Sequence, residues 1–190
     1  MRKLPALLHS TGMLCCGEDL GMIPPCVPEV MEDQNILSLE IQRMPKDPKD
    51  LFANPDHYPY WCVCATGTHD TSTLRAWWEE DRAASQRFYN EMLHCEGEAP
   101  YFCEPWLADL VLAQHLKSPA MLAILPLQDW LSTDGEVRYG GDPADERINV
   151  PAIPRYYWRY RMHCTVESLI ANDGLCGHIR NLIESGARNK

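Results

Sequence analysis

Four short apolar runs constrain this chain more than any other feature: Met13–Cys16, Ile36–Ile41, Tyr60–Ala65 and Met121–Leu125. Each is only a few residues long and then meets polar, glycine or proline punctuation. Strands buried on both faces of a parallel sheet read this way, because neither face has to meet water. Helical patterns lie between and after the runs. Val27–Asp33 follows Pro24–Pro25. Thr73–Leu93 is rich in strong helix formers and starts behind Asp70, Thr71 and Ser72, any of which can cap a helix N-terminus. Glu104–Leu116 sets Leu107, Leu110, Val111 and Gln114 at helical spacing. Gln128–Leu131, His163–Ala171 and Gly177–Ser185 supply the remaining helices. Two polar loops, Arg43–Tyr58 and Ser132–Pro154, separate these elements. Strands alternating with helices predict an α/β fold.

The strand count then predicts a piece of something larger. A barrel of eight strands and eight helices takes about 250 residues, and this chain has 190. Four strands with their helices make half of one. Such a half would leave two apolar edge strands unpaired, which invites aggregation. The whole of residues 1–190 reads as one unit, with no second domain, internal repeat or low-complexity tract.

Composition narrows the partners. A formal net charge of −10 repels phosphate backbones and anionic lipid, so neither nucleic acid nor a membrane surface is an expected partner. The nine cysteines include no Cys-x-x-Cys pair, which argues against a zinc site and a thioredoxin-like redox site. Several lie inside apolar runs, where a reduced thiol is a small buried hydrophobe. That use points to a reducing compartment. Met1–His9 faintly imitates a signal peptide, but Pro5 breaks its apolar stretch and His9 ends it. No run is long enough to span a bilayer. A soluble cytoplasmic protein without metal or cofactor is expected.

Reactive groups of an α/β barrel stand just after the C-terminal ends of the strands. Gly17-Glu18-Asp19-Leu20-Gly21 follows the first run and Gln42-Arg43-Met44-Pro45 the second. Thr66-Gly67-Thr68-His69-Asp70-Thr71 follows the third and Pro126-Leu127-Gln128-Asp129 the fourth. Two carboxyl groups from different strands facing one cleft are what glycosidic chemistry requires. One protonates the leaving oxygen while negative charge steadies the positive sugar centre. Taken singly, each of these acids has a bland role: Glu18 or Asp19 satisfying a helix start, Asp70 capping the helix behind it. His69 alone is more often a hydrogen-bonded structural histidine. Trp77-Trp78 has the look of a sugar-stacking platform, yet on a helix such a pair more often packs.

The residues themselves go further. Gly17-Glu18-Asp19-Leu20-Gly21 with Ile23-Pro24 resembles the acid/base motif of the amylomaltase, or 4-α-glucanotransferase, family. Thr66-Gly67-Thr68-His69-Asp70 resembles its transition-state-stabiliser motif. Pro126-Leu127-Gln128-Asp129, Ile148-Asn149-Val150-Pro151 and Tyr157-Trp158-Arg159-Tyr160-Arg161 are similar to its closing segments, in the same order. Leu39–Pro45 and Asp70–Asp81 are most similar to the plant cytosolic disproportionating type. The similarity runs from about Leu14 to the final helix.

The resemblance implies the C-terminal half of a (β/α)8 TIM barrel, with the motifs after the fifth and seventh strands. It implies Glu18 as acid/base, Asp70 as transition-state stabiliser, and His69, Asn149 and Gln128 as substrate contacts. The implied reaction is a retaining transfer of α-1,4-glucosyl units from maltose or a maltooligosaccharide to a glucan acceptor, with maltose, maltooligosaccharide and glycogen-like glucan as partners. No metal or nucleotide enters it. The family's nucleophile, an aspartate in an Arg-x-Asp-His context, has no counterpart here; Asp56-His57 lacks the arginine. The expectation is therefore a fragment that is inactive alone and completed by a missing N-terminal half. An inactive glucan-binding fragment is the alternative.

Overall fold

The computed structural model describes residues 3–188. Met1 and Arg2, the start of the signal-like stretch, lie outside the described residues; the rest of that stretch is an exposed helix, α1 (Lys3–His9). The chain then runs α2 (Val27–Asp33), β1 (Ser38–Ile41), β2 (Cys62–Ala65), α3 (Leu74–Glu80), α4 (Arg82–Glu91) and α5 (Pro105–Lys117). It continues through β3 (Leu122–Ala123), α6 (Leu127–Leu131), α7 (Val166–Ile170) and α8 (Asp173–Ser185). Short 3-10 turns at Pro55–His57 and Pro143–Glu146 punctuate the two long loops.

The sheet is parallel, in the order β1-β2-β3. Ser38 pairs with Cys62 and Ile41 with Ala65; Val63 and Cys64 pair with Leu122 and Ala123. The first apolar run contributes one bridge, Cys16 to Leu37, also parallel. All four runs thus lie side by side in chain order and point the same way. The segments that follow them emerge along one edge.

β2 is buried along its full length, as its unbroken Cys-Val-Cys-Ala composition requires. One of its faces is covered by α5: the Cys64 thiol donates to the His115 carbonyl at 3.7 Å. The largest core cluster joins α3, α4 and α5 through Leu74, Trp78, Phe88, Leu107, Leu112 and Leu125. Fully burying a side chain such as Phe88 is worth about 1.5–3 kcal/mol. Trp78 belongs to this core, with its indole N–H on the Pro100 carbonyl at 3.0 Å, so the tryptophan pair packs.

The region after β2 differs from the sequence reading in two ways. The helix predicted over Thr73–Leu93 is two helices, broken at Asp81. The Asp81 carboxylate accepts from the Ala83 and Ala84 N–H groups at 2.9 and 3.1 Å and caps α4, which turns the chain. The α3 cap is the Thr73 hydroxyl, accepting from Ala76 N–H at 3.3 Å, and not Asp70. Among the described residues all nine cysteines are free. No described helix is long and apolar enough to cross a membrane.

Candidate active site

The first acidic loop leaves the sheet at Gly17, whose N–H still pairs with the Leu37 carbonyl at 2.8 Å. Asp19 then turns back and accepts the Leu39 N–H at 2.9 Å. It is buried, and its other oxygen lies 2.7 Å from the Lys46 ammonium, which reaches Glu40 at the same distance. Burial lowers the affinity of Lys46 for its proton, but the hydrogen bonds to Asp19 and Glu40 outweigh this and leave its pKa raised. Glu18 has no part in this ion pair. It is exposed, and its Oε1 accepts only the Leu20 N–H of its own loop, at 2.9 Å. Gly21 follows with φ 78°, a left-handed turn that suits glycine. Of the two acids in this motif, Asp19 is structural and Glu18 is the free one.

The second loop spans Thr66–Ser72, between β2 and the Thr73 cap. Its base is fixed by Asp129, fully buried at the start of α6. Asp129 accepts the Thr66 hydroxyl at 2.5 Å and the Leu74 N–H at 2.8 Å. Burial raises its pKa; the Thr66 hydrogen bond and the charge of Arg43 pull the other way. Inside the loop the Thr71 hydroxyl accepts Thr68 N–H at 2.9 Å and donates to the Thr68 carbonyl at 3.1 Å. These bonds leave His69 and Asp70 at the exposed tip.

At that tip three predicted residues meet. Asn149 donates its side-chain N–H to Asp70 Oδ1 at 2.5 Å, and its backbone N–H to the His69 carbonyl at 3.1 Å. His69 Nε2 lies 3.4 Å from the same Asp70 oxygen. The Trp158 ring, half exposed, rests on the His69 ring with centroids 5.0 Å apart. Beside this cluster opens a cavity of about 300 Å³, lined by Gly67, Thr68, His69, Ile124–Gln128 and Glu146–Ile148. Gln128 belongs to its wall but is buried, and donates to the Glu146 carbonyl at 3.2 Å. It shapes the wall more than it offers a free amide.

The structure therefore joins His69, Asp70 and Asn149 into one hydrogen-bonded group and sets Gln128 in the wall beside it. Glu18 makes no contact with them. It stands on the segment beside β1, whose other neighbour is β2, so one strand lies between the two acids' strands. Strands are about 4.8 Å apart, so two spacings put the two strand axes about 10 Å apart. Sequence reasoning passed over Arg43 and Asp129, the side chains that hold the Asp70 loop. The only signal for Asp129 was an acid following a strand. Among the described residues no group of His, Cys, Asp and Glu could hold a metal ion.

Comparison with known proteins gives the chain's family. The family model described as 4-alpha-glucanotransferase, of glycoside hydrolase type 77, matches residues 1–166. The chain belongs to the 4-alpha-glucanotransferase family. It is 44% identical over 190 residues to 4-alpha-glucanotransferase DPE2 of Oryza sativa subsp. japonica, covering 100% of this chain and 20% of that protein. It is 29% identical over 182 residues to the 4-alpha-glucanotransferase of Chlamydia trachomatis serovar D, covering 90% of this chain and 32% of the relative. The amylomaltase from Streptococcus agalactiae, solved in complex with acarbose, superposes with a TM-score of 0.68 at 19% identity over 95% of this chain and 34% of that one. An amylomaltase from Corynebacterium glutamicum gives 0.67 at 18% identity, over 90% and 29% of the two chains. At such identities the likeness is one of fold. The chain spans a fifth of the rice relative's length and about a third of the chlamydial one's.

Proposed function

We propose that this chain forms the last four strands and outer helices of a (β/α)8 barrel. In that barrel it supplies the acid/base and the transition-state stabiliser of an α-1,4-glucan transferase. The observation that carries the reading is the Asp70–His69–Asn149 group beside a cavity that His69 lines, on the edge where every strand ends. Asp70 is held by a neutral donor and left half exposed, so one of its oxygens stays free for sugar hydroxyls.

The chemistry is a double displacement. A nucleophile from outside these residues attacks the anomeric carbon of the donor, and Glu18 gives a proton to the departing oxygen. The same Glu18, now ionised, takes the proton of the acceptor's 4-hydroxyl as that oxygen attacks the glycosyl intermediate. Asp70 hydrogen-bonds the reacting ring and favours its flattening towards the oxocarbenium shape. Acid duty requires Glu18 to hold its proton, which burial favours. Glu18 is exposed here, so that burial has to come from substrate or from further chain.

The test is reconstitution. The 190-residue chain is mixed with a segment carrying an Arg-x-Asp-His nucleophile, and glucose release from maltose plus glycogen is followed. Release that needs both parts and disappears with Glu18→Gln or Asp70→Asn supports the assignment. Full activity in either variant refutes it. Glucan binding without turnover in the reconstituted pair would favour the inactive glucan-binding reading, to which the exposed Glu18 lends some weight.

A further inference from the structure

Loops are positioned by what their backbone carbonyls accept, and the Asp70 loop has one conspicuous donor. Arg43 comes from the end of β1, a different strand from the one that carries the loop. Its Nε and Nη2 both donate to the Thr66 carbonyl, at 2.9 and 2.8 Å. Its Nη2 also donates to the Ser72 carbonyl at 2.9 Å. One guanidinium thus binds the first and last residues of the segment that bears His69 and Asp70. The Trp77 ring, centroid 5.1 Å from Arg43 Cζ, backs the planar group. The cation is desolvated here, which lowers its pKa, while Asp129 and Glu80 work in the opposite direction.

A second observation fits the first. A Cβ on Gly67 would stand 2.6 Å from Arg43 Nη2 and 2.7 Å from Thr71 Oγ1. A side chain at this position would therefore press on both the guanidinium and the Thr71 hydroxyl.

We propose that Arg43 is a positioning residue: by binding the Thr66 and Ser72 carbonyls together it fixes the span of the loop and sets where Asp70 presents its carboxylate to Asn149 and to sugar. This rests on the reading that Asp70 acts at the cavity. A lysine cannot replace the fork. Its single nitrogen bonds from a point, whereas the planar guanidinium donates to two carbonyls in a fixed geometry.

The experiment uses the 190-residue chain and needs no ligand for its first readout. The side-chain amide NMR signals of Asn149 report its bond to Asp70. Arg43→Lys and Gly67→Ala, which act from opposite sides of one contact, are expected to move those signals towards free-amide positions. The melting transition should remain cooperative. Arg43→Ala is expected to do the same, and millimolar guanidinium ion should return the signals part-way to their wild-type positions. Unmoved Asn149 signals in folded Arg43→Lys and Gly67→Ala would overturn the proposal, as would an Arg43→Ala shift that guanidinium leaves untouched. Maltotriose titration gives the second readout. Arg43→Lys is expected to bind about tenfold more weakly, and Asp70→Asn at least as weakly. An Asp70→Asn variant that binds like wild type, with the Asn149 signals still following Arg43, would refute the role of Asp70 in sugar binding and leave the clamp standing.

Discussion

Asn149 and Asp70, 79 positions apart in sequence, are joined by a 2.5 Å hydrogen bond from the Asn149 side-chain amide to the Asp70 carboxylate. The loop after β2 is thereby braced by the closing segment of the chain, and the orientation of one carboxylate depends on both. Asn149→Ala should free the Asp70 side chain and weaken maltotriose binding about tenfold, the worth of one hydrogen bond to a charged group. Asn149→Asp should be worse at neutral pH, since two carboxylates then face each other. Its affinity should recover as the pH is lowered and one of the pair keeps its proton. Calorimetric titration at two pH values checks both, and an Asn149→Asp variant that weakens further in acid would contradict this account.

Asp129 answers to a different rule. It is fully buried and accepts from Thr66 and Leu74. Asp129→Asn keeps an acceptor for the Leu74 N–H and removes a buried charge, so its cost should be small. Asp129→Ala strands two buried donors and should lose about 3 kcal/mol in urea unfolding. Equal losses from the two substitutions would show that the charge itself is what matters.

His115 should make stability depend on pH. Burial holds it neutral and lowers its pKa to about 4. In the unfolded chain its pKa is about 6.5, so only the unfolded state takes up a proton between the two values. The contribution is intact above pH 6.5 and drains away as the pH falls towards 4, by about 3 kcal/mol in all. His115→Gln should show a shallower loss than the wild-type chain between pH 7 and 5 in urea melts. Parallel curves would remove His115 as the cause.

The C-terminal helix has a latch. Arg188 donates to the carbonyls of Leu116, His115 and Ser118 at 2.7, 3.2 and 2.7 Å, covering the orphaned end of α5. Gly186 lies so close that a Cβ would meet the Leu116 carbonyl oxygen at 2.8 Å. Arg188→Ala should cost about 2–3 kcal/mol, since several bonds from one cation are lost together. Gly186→Ala should loosen the same junction, and hydrogen exchange in α8 should rise in both. Unchanged exchange would mean that α8 is held by its contacts with α5 alone.

Much of this was legible in advance, and the exceptions share a cause. The four apolar runs lie adjacent and parallel as their composition implied, because hydrophobicity on both faces leaves few other places to lie. Met13 and Leu14 read as strand but stay exposed at 76% and 54%, with only Cys16 bridged. A strand needs a partner to exist, and composition does not reveal whether one is present. Asp70 also read as a helix cap, with Thr71 and Ser72, whereas the cap is the next residue, Thr73. The start of α3 is set with the help of Asp129, which holds the Leu74 N–H, a tertiary contact with no local mark. The same holds for Arg43: its partners lie on another loop, and nothing beside it in the chain announces them. Asp81, by contrast, carried its own signal within an otherwise uninterrupted helical pattern, and periodicity overrode it.

The ammonium that Asp19 and Glu40 share immobilises the backbone next to Glu18 without touching Glu18 itself. In the reaction proposed above Glu18 gives up a proton and later reclaims it, a duty that asks for a fixed mount and an exposed side chain. Here those two demands fall on adjacent residues. On that proposal, Lys46→Ala should slow glucose release by the reconstituted pair from a position that never meets Glu18.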